Sequence, residues 1–198
     1  MNEDPLRLVV IIGSTRAGRF CPTVAEWFAG QARARTDFKT DVIDLAEAWL
    51  PDVLPADDAG EQPGPVRELS PWLAEADAFV VVTPEYNHSF PAALKNAIDW
   101  FYDEWQAKPV GYVSYGGIAG GLRAVEHLRG VFNELHAVSV RTSVTFPNFH
   151  ERFGEDGRPK DRERYERSAT GLLDELSWWG DALRRQRARR PYRAGADE

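Results

Sequence analysis

The sequence predicts an α/β fold: a doubly wound, five-stranded parallel sheet covered by helices on both faces. Three observations predict it. Leu6–Ile12 (LRLVVII) and Asp77–Thr83 (DAFVVVT) are apolar, β-branched runs of the kind found in strands buried on both faces. Helix-patterned segments alternate with the strand-like runs, as crossover connections between parallel strands require. Finally, the loops after the first, third and fourth strands are the most unusual in the chain, and a doubly wound sheet binds its ligand where such loops converge.

The elements follow in order. After the first strand, Gly13–Phe20 is a turn, and Pro22 opens a helix to about Arg35 because proline suits the first helical turn. Lys39–Leu45 (KTDVIDL) alternates and is the second strand. Ala46–Pro65, rich in Pro, Asp and Gly, is an irregular loop. Val66–Glu75 is helical and Asp77–Thr83 is the third strand. Pro84–Pro91 is a loop and Ala92–Tyr102 a helix. Pro109–Ser114 is the fourth strand, followed by the glycine-rich loop Tyr115–Gly121. Gly121–His136 carries Leu122, Val125, Leu128, Phe132 and Leu135 at helical spacing. Val138–Thr145 is the fifth strand and Arg162–Arg189 a long terminal helix. With no internal repeat or low-complexity block, 198 residues fit one domain, expected over 1–190 with a tail at 191–198.

Composition narrows the function classes. No apolar run is long enough to span a bilayer. The acidic start Met1-Asn2-Glu3-Asp4-Pro5 lacks the basic and apolar parts of a secretory signal. The single cysteine, Cys21, allows no internal disulfide and reads as a small packing residue. A cytoplasmic protein is expected. The net charge is −7, and Arg184–Glu198 holds six arginines and two acids, so the remainder carries −11. That acidic body argues against nucleic acid as a partner. The basic end is read as a solvated helix end or tail.

Each of the three loops has its own chemistry. Gly13-Ser14-Thr15-Arg16-Ala17-Gly18-Arg19-Phe20 links a buried strand to a helix start, where free N–H groups favour an anion. Ser14, Thr15 and Thr23 add hydroxyl donors, and Arg16 and Arg19 add charge suited to a terminal phosphate. The dinucleotide fingerprint and the P-loop motif are both absent. The same segment also fits a plain strand-to-helix turn with exposed arginines. Pro84-Glu85-Tyr86-Asn87-His88-Ser89-Phe90-Pro91 is stiffened by two prolines and offers flat rings and an amide that both donates and accepts. It is equally compatible with a structural loop. His88 has no second metal ligand at workable spacing. Ser114-Tyr115-Gly116-Gly117-Ile118-Ala119-Gly120-Gly121 lets backbone approach a planar ligand, or is a flexible turn.

Taken together, the segments TPEYNHSFPAALKNAIDW (Thr83–Trp100), Gly13-Ser14-Thr15-Arg16, Ser114-Tyr115-Gly116-Gly117 and Phe153-Gly154-Glu155-Asp156-Gly157 resemble the NADPH-dependent FMN reductase family of quinone, chromate and azo-dye reductases. The resemblance covers nearly the whole chain. It implies a flavodoxin-like, three-layer α/β/α fold with strand order 2-1-3-4-5. It also implies FMN as cofactor, NADPH or NADH as co-substrate, and a small acceptor such as a quinone or flavin. By position, Ser14, Arg16 and Thr23, with the N–H groups of Phe20 and Cys21, would bind the FMN phosphate. Pro84, Glu85, Tyr86 and Asn87 would line the flavin ring, with Tyr86 and Asn87 tuning it. Ser114, Tyr115, Gly116 and Gly117 would close the other side. A homodimer or dimer of dimers is implied, and the cluster Trp100, Phe101, Tyr102 and Trp105 fits either the core or that interface, with the interface favoured. Two rival readings use the same scaffold: an electron carrier without NAD(P)H activity, and an FMN enzyme dedicated to one biosynthetic substrate.

Overall fold

The computed structural model describes residues 4–55 and 60–193. The acidic start at 1–3, the centre of the Ala46–Pro65 loop at 56–59 and the last part of the expected tail, 194–198, lie outside the described residues. Five parallel strands, β1 (Leu6–Ile12), β2 (Phe38–Asp44), β3 (Ala78–Pro84), β4 (Pro109–Gly116) and β5 (Val138–Pro147), form one sheet in the order β2-β1-β3-β4-β5. The helices are α1 (Cys21–Arg33), α2 (Gly64–Ala74), α3 (Ala92–Asp99), α4 (Leu122–Glu134) and α5 (Arg162–Arg189).

The two faces of β1 explain its unbroken apolar run. Leu8, Val10 and Ile12 pack with Val24, Phe28, Leu172 and Leu176 of α1 and α5. Val9 and Ile11 pack on the other face with Leu73, Leu94, Ile98, Leu128 and Phe132 of α2, α3 and α4. The sheet is therefore the middle of three layers, and every strand-to-helix loop emerges at its carboxyl edge.

Most boundaries shift by one or two residues from the sequence reading, and three of the shifts bear on the site and the core. β4 and β5 run on to Gly116 and Pro147 because Tyr115 pairs with Phe146 and Gly116 with Pro147. A glycine and a proline disguised that extension, both being poor strand formers. α3 stops at Asp99, and a short 3₁₀ turn, Asp103–Trp105, follows. That break turns Trp100, Phe101 and Trp105 inward, at 7%, 3% and 2% exposure, while Tyr102 stays half exposed. Trp105 stacks edge-on against Phe79 and Phe132 and donates Nε1–H to the Ile98 carbonyl at 3.2 Å. Three of these four residues thus belong to the core of the chain itself, not to an interface.

The amino edge of the sheet is held by charge. Asp77 accepts the Arg7 N–H at 3.1 Å and pairs with Arg187 at 3.0 Å and Arg184 at 3.6 Å. Part of the basic C-terminal run is therefore a set of anchors and not solvated surface. Lys108 is buried beside them, donating to the Leu73 and Ala74 carbonyls at 2.8 and 2.7 Å. Burial, reinforced by Arg187 and opposed by Asp77 and Glu104, pushes its ammonium down to about 7. In the unfolded chain the same group titrates near 10.5, so between the two values the unfolded state binds more protons. Lys108 therefore makes stability rise as pH climbs through this window. Melting curves at pH 7 to 9.5 should show the wild type gaining on Lys108→Met; a constant gap would contradict this.

Candidate flavin site

Three loops meet at the carboxyl edges of β1, β3 and β4. The chain leaves β1 through Gly13, whose N–H donates to the Val82 carbonyl at 2.9 Å. A Cβ at Gly13 would stand 3.0 Å from that oxygen and 3.1 Å from Leu94, so only glycine lets the loop cross β3 this closely. Ser14 is fully buried, and its Oγ lies 2.8 Å from the Tyr86 hydroxyl. This contact ties the first loop directly to the second. Replacing Tyr86 by Phe should cost about 1 kcal/mol of stability, the usual worth of such a bond, and leave the fold intact in urea unfolding.

The rest of the first loop is open. Thr15, Arg16, Ala17 and Gly18 are exposed, and their backbone N–H groups find no protein acceptor among the described residues. Helix α1 starts at Cys21 with no side-chain cap. Its first amides are thus available to an anion, and the helix dipole favours one. Arg16 has no ion-pair partner among the described residues, whereas Arg19 is spent on Asp44 at the end of β2. The donor set fits a phosphate with Arg16 as its cation. Thr23 stands in the first turn of α1, with its methyl facing Gly157.

Phe20 and Cys21 serve the core with their side chains. Phe20 packs on Phe149 and Phe153, with ring centroids 5.2 and 5.0 Å away. The Cys21 thiol is buried against the Val82 carbonyl, and burial pushes it up to about 11, so it stays protonated. Tyr115 is buried beside it, and burial likewise drives its hydroxyl far above the usual range. Only the backbone at Tyr115 reaches the crevice wall: its carbonyl accepts the Glu85 N–H at 3.1 Å.

The second loop is a two-residue turn. Tyr86 and Ser89 exchange backbone bonds of 2.8 and 3.0 Å around Asn87 and His88, at φ 50° and 70°. Positive φ at both central residues is the type I′ geometry. It lifts Asn87 clear of the surface, with its amide unbonded among the described residues. Pro84 ends β3 and pairs with Tyr115. The Glu85 carboxylate turns away from the turn to meet Arg123 of α4, and Ser89 Oγ meets His127 Nδ1 at 3.0 Å.

The third loop is folded tightly on itself. Ser114 Oγ donates to the Gly120 carbonyl at 2.9 Å. Gly120 and Gly121 have φ of 61° and 90°, conformations that side chains rarely adopt. Gly116 is packed against Gly121, while Gly117 faces open space. The backbone at Gly117 is the part of this loop that a flat ligand could approach.

The crevice thus gathers Ser14, Arg16, Tyr86, Asn87 and Gly117, and it leaves the side chains of Glu85, Ser114 and Tyr115 in supporting positions. Sequence reasoning missed Arg123 and His127, which hold the loop around the Asn87–His88 turn from α4. It also missed Asn96 and Trp100, which both donate to the Pro51 carbonyl, at 2.9 and 2.8 Å, and so fix the loop after β2. No sequence spacing announces either pairing.

An open parallel sheet with an uncapped anion loop after β1, a rigid amide-bearing turn after β3 and a glycine loop after β4 defines a flavodoxin-like flavin-binding protein. Residues 6–151 match the family model described as NADPH-dependent FMN reductase, and the chain belongs to that family. An NAD(P)H-dependent FMN reductase of Schizosaccharomyces pombe is 35% identical over 155 residues, covering 71% of this chain and 74% of the yeast protein. A quinone reductase of Escherichia coli K12 is 35% identical over 141 residues, covering 69% of this chain and 74% of its own. In fold, the chain is similar to FerB, a flavoenzyme NAD(P)H:(acceptor) oxidoreductase of Paracoccus denitrificans. The TM-score is 0.73 at 24% identity, over 90% of this chain and 98% of that one. The protein is an FMN-dependent oxidoreductase that uses NAD(P)H.

Proposed function

We propose that the protein takes hydride from NAD(P)H and delivers it to a small quinone through FMN seated across the three loops. The single observation that carries the seating is the part-buried Ser14–Tyr86 contact, which brings the anion loop and the amide-bearing turn to one crevice. The quinone as acceptor rests on relatives, among them the E. coli quinone reductase and a 2-hydroxy-1,4-benzoquinone reductase of a Burkholderia species. FMN supplies the hydride acceptance and return. The chain's residues bind and orient it. Arg16, Ser14 and Thr23, with the Phe20 and Cys21 amides, hold the phosphate. Pro84, Glu85, Tyr86 and Asn87 form the ring platform, and the Asn87 amide bonds the mixed donor–acceptor edge of the ring. Gly117 presents its backbone as the opposite wall, and Ser114, Tyr115 and Gly116 hold that wall in place.

The remaining features of this reading are a single domain over 1–190, a cytoplasmic setting and a homodimer. Among the described residues no helix is long and apolar enough to cross a membrane. Exposed Ile118 and Leu122 beside the glycine loop, at 85% and 48% exposure, favour a second copy near the flavin. Purified protein should be yellow and should oxidise NADPH with menadione as acceptor. Colourless protein that gains no flavin on adding FMN overturns the proposal. Flavin that stays oxidised when mixed rapidly with NADPH would instead point to an electron carrier.

A further inference from the structure

One carboxylate at the rim of the crevice answers one arginine. The Glu85 side chain is 10% exposed, and its carboxylate accepts Arg123 Nη1 at 2.7 Å and the Arg123 backbone N–H at 3.3 Å. Arg123 is the second residue of α4, whose N-cap is Gly121, a residue with no side chain to offer. Glu85 therefore caps α4 from a neighbouring loop. Its own N–H donates to the Tyr115 carbonyl at 3.1 Å, and a Cβ at Gly116 would lie 3.5 Å from the Glu85 Cβ. Glu85 thus stands between the Asn87–His88 turn and the glycine loop, the two walls assigned to the flavin ring.

Other described charged groups near the crevice have their own partners: Arg152, beside the glycine loop, donates to the Pro147 carbonyl at 3.0 Å. Arg19 and Asp44 neutralise each other, and Arg16 belongs to the phosphate end. His88 and His127 lie on or against the turn, the latter through Ser89. The Glu85–Arg123 pair starts on the ring platform itself, since Glu85 is one of its residues.

We propose that Glu85 and Arg123 act as positioning residues that set the reduction potential of the bound flavin by cancelling each other's charge at one edge of the ring. This rests on the reading of Pro84–Asn87 as the ring platform. Hydride transfer brings two electrons and one proton to the ring, which gains negative charge while the nicotinamide gains positive charge. A bare guanidinium, with the uncapped α4 amides, favours the reduced ring; a bare carboxylate disfavours it. Arg123 is 43% exposed, so the effect is moderate and weakens with salt.

The test is a dye-equilibrated midpoint potential on the FMN-loaded protein, with the dissociation constant of oxidised FMN measured beside it. Glu85→Gln should favour reduced over oxidised FMN by about tenfold, a rise of about 30 mV for a two-electron couple. Arg123→Gln should move it by a similar amount in the opposite direction, the double variant should return towards the wild type, and Glu85→Asp should hold the wild-type value. Half-molar salt should shrink both single shifts. Shifts of the same sign in the two single variants, or no shift in either, overturn the proposal. A wild type that takes up no FMN overturns the functional reading instead, so the two failures are distinct.

Discussion

Gly121→Ala should destabilise the protein by about 2–5 kcal/mol, combining the usual penalties for a left-handed residue and for overpacking. At φ 90° a new Cβ would stand 2.6 Å from Ser114 Cβ and 3.0 Å from the Tyr115 nitrogen. The clash has backbone on one side and the first carbon of a fully buried residue on the other, so neither can swing away. Relief requires moving the start of α4, and with it the Ser114–Gly120 bond and the cap from Glu85. Gly117→Ala is the control, because nothing lies within 4 Å of its Cβ position. Urea unfolding should separate the two variants widely. Equal losses would mean that the loop is not packed as described.

Arg16→Ala should weaken FMN binding by tenfold or more while leaving the melting temperature of the apoprotein unchanged. A charge-assisted bond to a phosphate is among the stronger single contacts a protein makes. Arg16 is exposed and has no acidic partner among the described residues, so its removal strands nothing in the folded chain. Arg19→Ala should do the reverse. It leaves Asp44 without its partner and removes a half-buried stem, so stability falls first. Flavin fluorescence titration and thermal melting on the two variants read these outcomes. Loss of FMN affinity only in Arg19→Ala would reassign the phosphate cation.

The layered fold was legible in the sequence because burial on both faces leaves a direct mark. Leu6–Ile12 has the same bounds in sequence and structure, since no residue in it is polar enough to confuse a two-sided core except Arg7 at its open edge. The ends of β4 and β5 were not legible, since their last ladder pairs involve Gly116 and Pro147, residues that ordinarily end strands. The first site loop was half legible. Its residue types pointed to an anion, but nothing in the string tells Arg16 from Arg19; only the nearness of Asp44, 25 residues away from Arg19, does that. Glu85, Ser114 and Tyr115 look like ligand contacts when read in line. Side-chain direction depends on the neighbouring strand and helix, and here it turns all three towards the protein. The aromatic run Trp100–Trp105 misled for a related reason: a helix that stops at Asp99 buries rings that a longer helix would have carried outward.

The Asn87–His88 turn has a further consequence for how this chain is able to vary. Asparagine tolerates positive φ well, but histidine does so at a cost, and both stand there with exposed side chains. Glycine at either position would suit the backbone better. At position 87 that relief would forfeit the amide that the proposed seating offers to the ring. At position 88 no bond to another described residue stands in the way. The two neighbours share one geometry yet differ in what a glycine would remove: at the first the contact to the ring that the proposed seating requires, at the second nothing bonded among the described residues.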